Sequence, residues 1–168
     1  NRDRGGGGCP PGPAVRVADP MRAVFQEMEY QVAEAVAAAG GVPTGEALEE
    51  LARFPHLDDE DRGVWSSMTP VQANIREVQR SWTSYKTIYA IGATFPLEGD
   101  ESPDDWQRIQ FAVHRVIHAL NMIPARPCED GKLDAFKATT ATYANPDPEE
   151  IQVVLMVEVF YTVNATGE

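Results

Sequence analysis

Apolar residues recur first at steps of three and four along the chain, and later at steps of two. Met21, Val24, Phe25, Met28, Val32, Ala35 and Val36 share one face of a helix. Asp19 is a suitable N-cap, Pro20 fits the first helical position, and Gly40-Gly41 stops the run. A shorter helix is expected from about Gly45 to Arg53, capped by Thr44, with Leu48 and Leu51 inward and Phe54-Pro55 at its end. Thr69-Pro70 opens a third segment. Val71, Ile75, Val78 and Trp82 there fit a helical face, and helix is the expectation, with Ile75–Trp82 as a strand the alternative.

From Tyr85 to Phe95 the period becomes two, which reads as a strand ended by Pro96. Ser102-Pro103-Asp104-Asp105 then sets a serine cap, a first-turn proline and first-turn acids, and starts a helix running to about Asn121. Pro124 and Pro127 break the chain. Strand signals resume from Leu133 to Ala144, Asn145-Pro146-Asp147-Pro148 reads as a turn, and Ile151–Val163 is the strongest strand. No repeat is visible, and no glycine-rich motif joins a strand to a helix, so nucleotide-binding loops are not expected.

This order predicts an α+β fold: a small, mostly antiparallel sheet with a long helix packed across it, preceded by an N-terminal helical region. Residues 20–168 are expected to form one domain. Residues 1–19, rich in glycine and proline, read as an extended arm held by a neighbouring subunit. The chain starts at Asn1 without a basic-then-apolar leader, so its start is expected to be processed or truncated, with no secretory signal.

Charge narrows the choice of partner. Against 14 bases stand 26 acids, a net charge of -12, and the only lysines are Lys86, Lys132 and Lys137. Such a surface repels phosphate, so direct nucleic-acid binding is not expected. No apolar stretch approaches the roughly 20 residues of a membrane-spanning helix. Cys9 and Cys128 read as free thiols, and the acidic run from His56 to Gly63 as a solvated loop or helix start rather than a calcium site.

Candidate chemistry concentrates on the 103–121 helix. Trp106, Ile109, Val113, Val116, Ile117 and Leu120 form its core side. Gln107, Phe111, His114 and His118 form a second stripe, flanked by Arg108 and Arg115. This stripe is either a solvated face with one stray phenylalanine or a surface covered by another subunit, since aromatics with arginines typify interface centres. His114 and His118, four apart, could also share a metal, which gives an alternative reading as a metal-binding soluble enzyme domain. Arg115 stands where the zinc-protease motif has glutamate, and no third ligand is spaced to help. No nucleophile elbow or acid/base carboxylate pair is found, so neither catalysis nor a cofactor is expected.

The last strand repeats the two-sided pattern. Its odd positions from Ile151 to Val163 are apolar, and its even positions include Val154, Met156 and Phe160. Either the strand is central and covered on both faces, or a partner covers the second face. From Tyr85 onward, the succession strand, amphipathic helix and strand–turn–strand with an apolar last strand resembles the bacteriophage tail terminator or tail-completion family. The carried-over elements are Met21–Ala39, Tyr85–Phe95, Pro103–Asn121, Leu133–Ala144 and Ile151–Val163. The longer stretch from Val42 to Trp82 and the arm depart from that pattern. The resemblance implies a virion structural protein assembled in the host cytoplasm. It would form a homo-oligomeric ring, commonly a hexamer, at the head-proximal end of the tail and contact the tail tube and head connector. A head–tail connector, adaptor or other capsid-associated module is the alternative it leaves. The interface would comprise Arg108, Phe111, His114, Arg115, His118, Val154, Met156 and Phe160, with the arm around Gly5–Pro13.

Overall fold

A computed structural model describes residues 20–43, 63–97 and 103–165. The expected arm, the 45–53 helix, the acidic run over 56–62 and the caps at Asp19, Thr44 and Ser102 lie outside the described residues.

The first helix, α1, spans Pro20–Ala38 and starts at the expected proline. Val24, Met28, Val32, Ala35 and Val36 are buried, while Met21 and Phe25 pack at the margin of the core. Its end is a Schellman cap: the Gly41 N–H donates to the Val36 carbonyl at 2.9 Å and the Gly40 N–H to the Ala37 carbonyl at 3.0 Å. Gly40 sits at φ 94°, a conformation that side-chain-bearing residues avoid. At Gly41 the need is space, because a Cβ would meet Val36 at 2.7 Å and the Trp65 indole at 2.8 Å.

The rest is mainly sheet. Strands β1 (Val42–Pro43), β2 (Val64–Trp65), β3 (Thr69–Val78), β4 (Trp82–Pro96), β5 (Arg126–Cys128), β6 (Gly131–Asp147) and β7 (Glu150–Asn164) join with α2 (Pro103–Asn121). They form one seven-stranded sheet in the order β1-β2-β4-β7-β6-β5, with β3 also paired to β4. Sheet accounts for 52% of the described residues, curled into a half-barrel and accompanied by two described helices. This corrects the expected fold, a small sheet with a long helix across it and a helical region before it. Two long hairpins, β3–β4 and β6–β7, make the sheet dominant.

Part of that difference is the third segment, expected as helix and found as β3. Inward β4 positions Tyr89, Thr87, Tyr85 and Thr83 fall at steps of two, and their β3 partners are Pro70, Ala73, Ile75 and Val78. Bulges between Pro70 and Gln72 and between Ile75 and Glu77 each insert a residue, so the β3 steps become three, two and three. A bulged strand thereby imitates helical spacing. β2 and β3 lie along the same edge of β4. Where they break, the Ser66 N–H donates to the Gly92 carbonyl at 2.8 Å and the Gly92 N–H to Ser66 Oγ at 2.9 Å.

β7 is central, paired with β4 over its whole length and with β6 on its other side. Its odd positions, Ile151 through Val163, are all buried beneath the two helices, together with Ile91, Phe95, Ile109, Val113, Val116, Leu120 and Leu133. Under α1 an aromatic cluster fills the core. Tyr85 stacks on Tyr161 at 5.2 Å, Phe25 meets Tyr161 edge-on at 5.9 Å, and Thr87 Oγ1 and Tyr161 Oη share a hydrogen bond of 2.8 Å. Burial pushes the hydroxyls of Tyr89 and Tyr161 above the ordinary tyrosine range. The unfolded chain ionises its tyrosines near pH 10 while the folded chain keeps these protons, so stability falls as pH rises through that point. Urea midpoints are therefore expected to drop between about pH 9 and about pH 11, with a smaller drop in Tyr161→Phe.

Candidate interaction surface

α2 begins at Pro103, with Asp104 and Asp105 in its first turn. Its core side holds as expected: Ile109, Val113, Val116 and Leu120 are buried, and Trp106 and Ile117 partly so. On the other side Phe111 is 66% exposed, and Gln107, His114, Arg115 and His118 are exposed with it. Arg108 is half-buried and pairs with Asp105 at 2.7 Å. The Arg115 Nε–H donates to the Ala39 carbonyl at 3.2 Å, so its guanidinium ties α2 to the end of α1.

Beside this stripe lies a groove of about 670 Å³ lined by Gln107, Gln110, Phe111, His114, Ile117 and Tyr143. Tyr143 comes from β6 and meets Trp106 edge-on at 6.2 Å. The groove thus joins helix and sheet residues and presents aromatic rings, amides and an imidazole but no carboxylate. Such a lining suits a protein surface better than a small charged ligand. Among the described residues, no three His, Cys, Asp or Glu come together as a metal site, so His114 and His118 find no third ligand there. Cys128 is free and half-buried, its thiol pushed up chiefly by burial.

Val154, Met156 and Phe160 point to the other face of the sheet. Val154 is 42% exposed, and Met156 and Phe160 are half-buried. Neighbours across β4 and β6 are small: Gly92 and Thr142 flank Val154, and Ala90 and Thr140 flank Met156. Phe160 lies between Lys86 and Ala135, with the Arg76 guanidinium 5.2 Å above its ring. Lys86 also reaches Glu158 at 3.8 Å. No described helix covers this face. The eight expected residues therefore fall on two faces, one on α2 and one on β7. α2 lies on the odd-numbered face of β7, so its exposed stripe and the even-numbered face of β7 look in opposite directions.

Other exposed apolar residues escaped sequence reading. Met122, 67% exposed, extends the α2 stripe one turn past His118. The spacing 111, 114, 118, 122 carries that signal, but the helix was expected to end at Asn121. Val71, Ile75 and Val78 of β3 are each more than half exposed, whereas a helical reading turns them inward.

No protein-family profile and no curated protein matches the sequence. Among solved structures, the chain is similar to one described as the virion of a native gene transfer agent (GTA) particle. The likeness has 13% identity and a TM-score of 0.49, and covers 86% of this chain and 93% of that one. No described helix is long and apolar enough to cross a membrane.

Proposed function

We propose that this chain is a virion structural protein of the tail-terminator or tail-completion type. Residues 20–168 act as one folded unit within a homo-oligomeric ring, in the resembling family commonly a hexamer. The ring closes the head-proximal end of a tail and meets the tail tube and head connector. The observation that carries this reading is the pair of uncovered patches facing opposite ways, one on α2 around Phe111 and one on β7 around Val154 and Met156. A subunit with two unlike patches makes head-to-tail contacts, and such contacts close into rings when their rotation allows. The element order supports the same reading. So does the net charge of -12, since an acidic lumen does not trap the phosphates of passing DNA.

Native mass spectrometry tests it. A species at a single integer multiple of the 18.4 kDa chain is expected. Met156→Glu is expected to lower the assembled fraction at least about tenfold by burying an unpaired charge. A chain that stays monomeric at every concentration, alone and with tail-tube protein, would overturn the proposal.

A further inference from the structure

The bulge between Ile75 and Glu77 leaves Arg76 without a partner residue on β4 and turns its side chain over the sheet. There the guanidinium lies 5.2 Å from the centre of the Phe160 ring. Next along the sheet comes a row that crosses four strands: Glu77 of β3, Ser84 of β4, Thr162 of β7 and Lys132 of β6. Arg76 and this row line a pocket of about 640 Å³, walled also by Trp82 and Asp134. Its acids already have partners. Asp134 pairs with Lys132 at 3.4 Å and accepts from Thr162 Oγ1 at 3.1 Å, and Glu77 accepts from Gln79 Nε2 at 2.8 Å. Ser84 and Arg76 differ. Ser84 is 7% exposed, yet its hydroxyl has no hydrogen-bond partner among the described residues. Buried hydroxyls ordinarily have one, and leaving it unmade is costly. Arg76 stacks on Phe160, but no described carboxylate pairs with it. Stacking occupies the flat face of a guanidinium and leaves the N–H groups along its edge free to donate.

We infer that this pocket binds a carboxylate, held by the edge of the Arg76 guanidinium and by the Ser84 hydroxyl. The planar pair of carboxylate oxygens matches the fork of a guanidinium, and the buried hydroxyl gains the acceptor it lacks. Charge selects among oxyanions. A phosphate with two charges is repelled by Glu77 and Asp134 in the lining, whereas a carboxylate brings one. The carboxylate comes either from a free organic acid or from an acidic side chain of a second copy, whose 26 acids include many candidates. The chemistry at Arg76 and Ser84 is the same in both cases, and one experiment separates them.

Phenylglyoxal, which modifies arginine side chains, tests this on the full chain, with the modified positions located by peptide mass. Arg80, exposed between β3 and β4, is the internal reference. At constant ionic strength, sodium acetate in place of sodium chloride is expected to slow modification of Arg76 at least about fivefold, by mass action, and to leave Arg80 unchanged. Ser84→Ala is expected to remove at least about half of that protection, because a hydrogen bond to a charged group is lost. The same variant should keep its urea midpoint without acetate, because the hydroxyl removed has no partner inside the chain. Protection that needs acetate at every chain concentration assigns the carboxylate to a free acid. Protection already present without acetate, and lost both on dilution and in Ser84→Ala, assigns it to a second copy. The inference is overturned by a dilute chain in which acetate fails to protect Arg76 or protects Arg80 equally. Inorganic phosphate protecting better than acetate, or a lowered midpoint in Ser84→Ala, overturns it as well. None of these readings depends on a ring, which native mass measures separately.

Discussion

A Phe111→Asp chain is expected to remain folded and to sediment as a monomer at concentrations where the parent chain is assembled. Phe111 makes no contribution to the buried core, so the substitution leaves the monomer's packing in place. In an interface the effect is large. An aromatic anchor at the centre of a contact contributes about 2 kcal/mol or more, which is about thirtyfold in a dissociation constant. Replacing it with a carboxylate also puts a charge where an apolar ring was covered, beside Tyr143, Ile117 and the Gln107 and Gln110 amides, and its desolvation opposes assembly. Light scattering reads the mass, and circular dichroism confirms the fold. Oligomers that persist unchanged would remove the α2 stripe from the interface.

Trp65→Ala is expected to have the largest effect on stability. β2 is two residues long and β1 is two more, so few ladder hydrogen bonds hold this corner of the sheet. The Trp65 side chain holds it instead. It is 1% exposed, meets Phe95 edge-on at 6.2 Å, and leaves no room for a Cβ at Gly41. Truncating a buried tryptophan costs about 3–5 kcal/mol, against a total of about 5–15 kcal/mol for a typical domain. The urea midpoint should fall accordingly, with the Val42 amide exchanging first because its bond to the Gly63 carbonyl depends on the same corner. Trp65→Phe, which keeps an aromatic ring there, should lose less than half as much. Equal losses in both variants would place the stabilisation elsewhere.

The helices were legible because their signals are local. Pro20 and Pro103 begin them, Gly40-Gly41 ends the first, and apolar spacing picks their core faces. β7 was legible for the same reason, every odd position being apolar and buried. β3 was not, because two bulges turned a strand period into a helical one. β5 was hidden among prolines. Only its pairing with β6, across a turn where Asp130 takes φ 65°, makes it a strand. The expected turn at Asn145–Pro148 is mostly the end of β6, whose register slips between Ala144 and Asp147. Proline is tolerated there because β5 pairs only with Gly131–Leu133, so this end of β6 has no described outer neighbour that needs its N–H. Sheet size and curl come from pairings between residues far apart in sequence, which no window of residues encodes. Of the candidate surface, the exposed residues could be named, but their division between opposite faces required the sheet.

The parallel pairing of β1 with β2 sets Val42 beside Val64. The two described residues that flank 44–62, Pro43 and Gly63, are therefore held at one place on the sheet's margin. Where two such points are fixed close together, doubling the length of a flexible connection adds only about 0.6 kcal/mol of closure cost. A foreign epitope of about twenty residues spliced into its middle should leave the thermal midpoint nearly unchanged. The same construction leaves Trp65, Gly41 and Phe95 in place when the length between Pro43 and Gly63 changes.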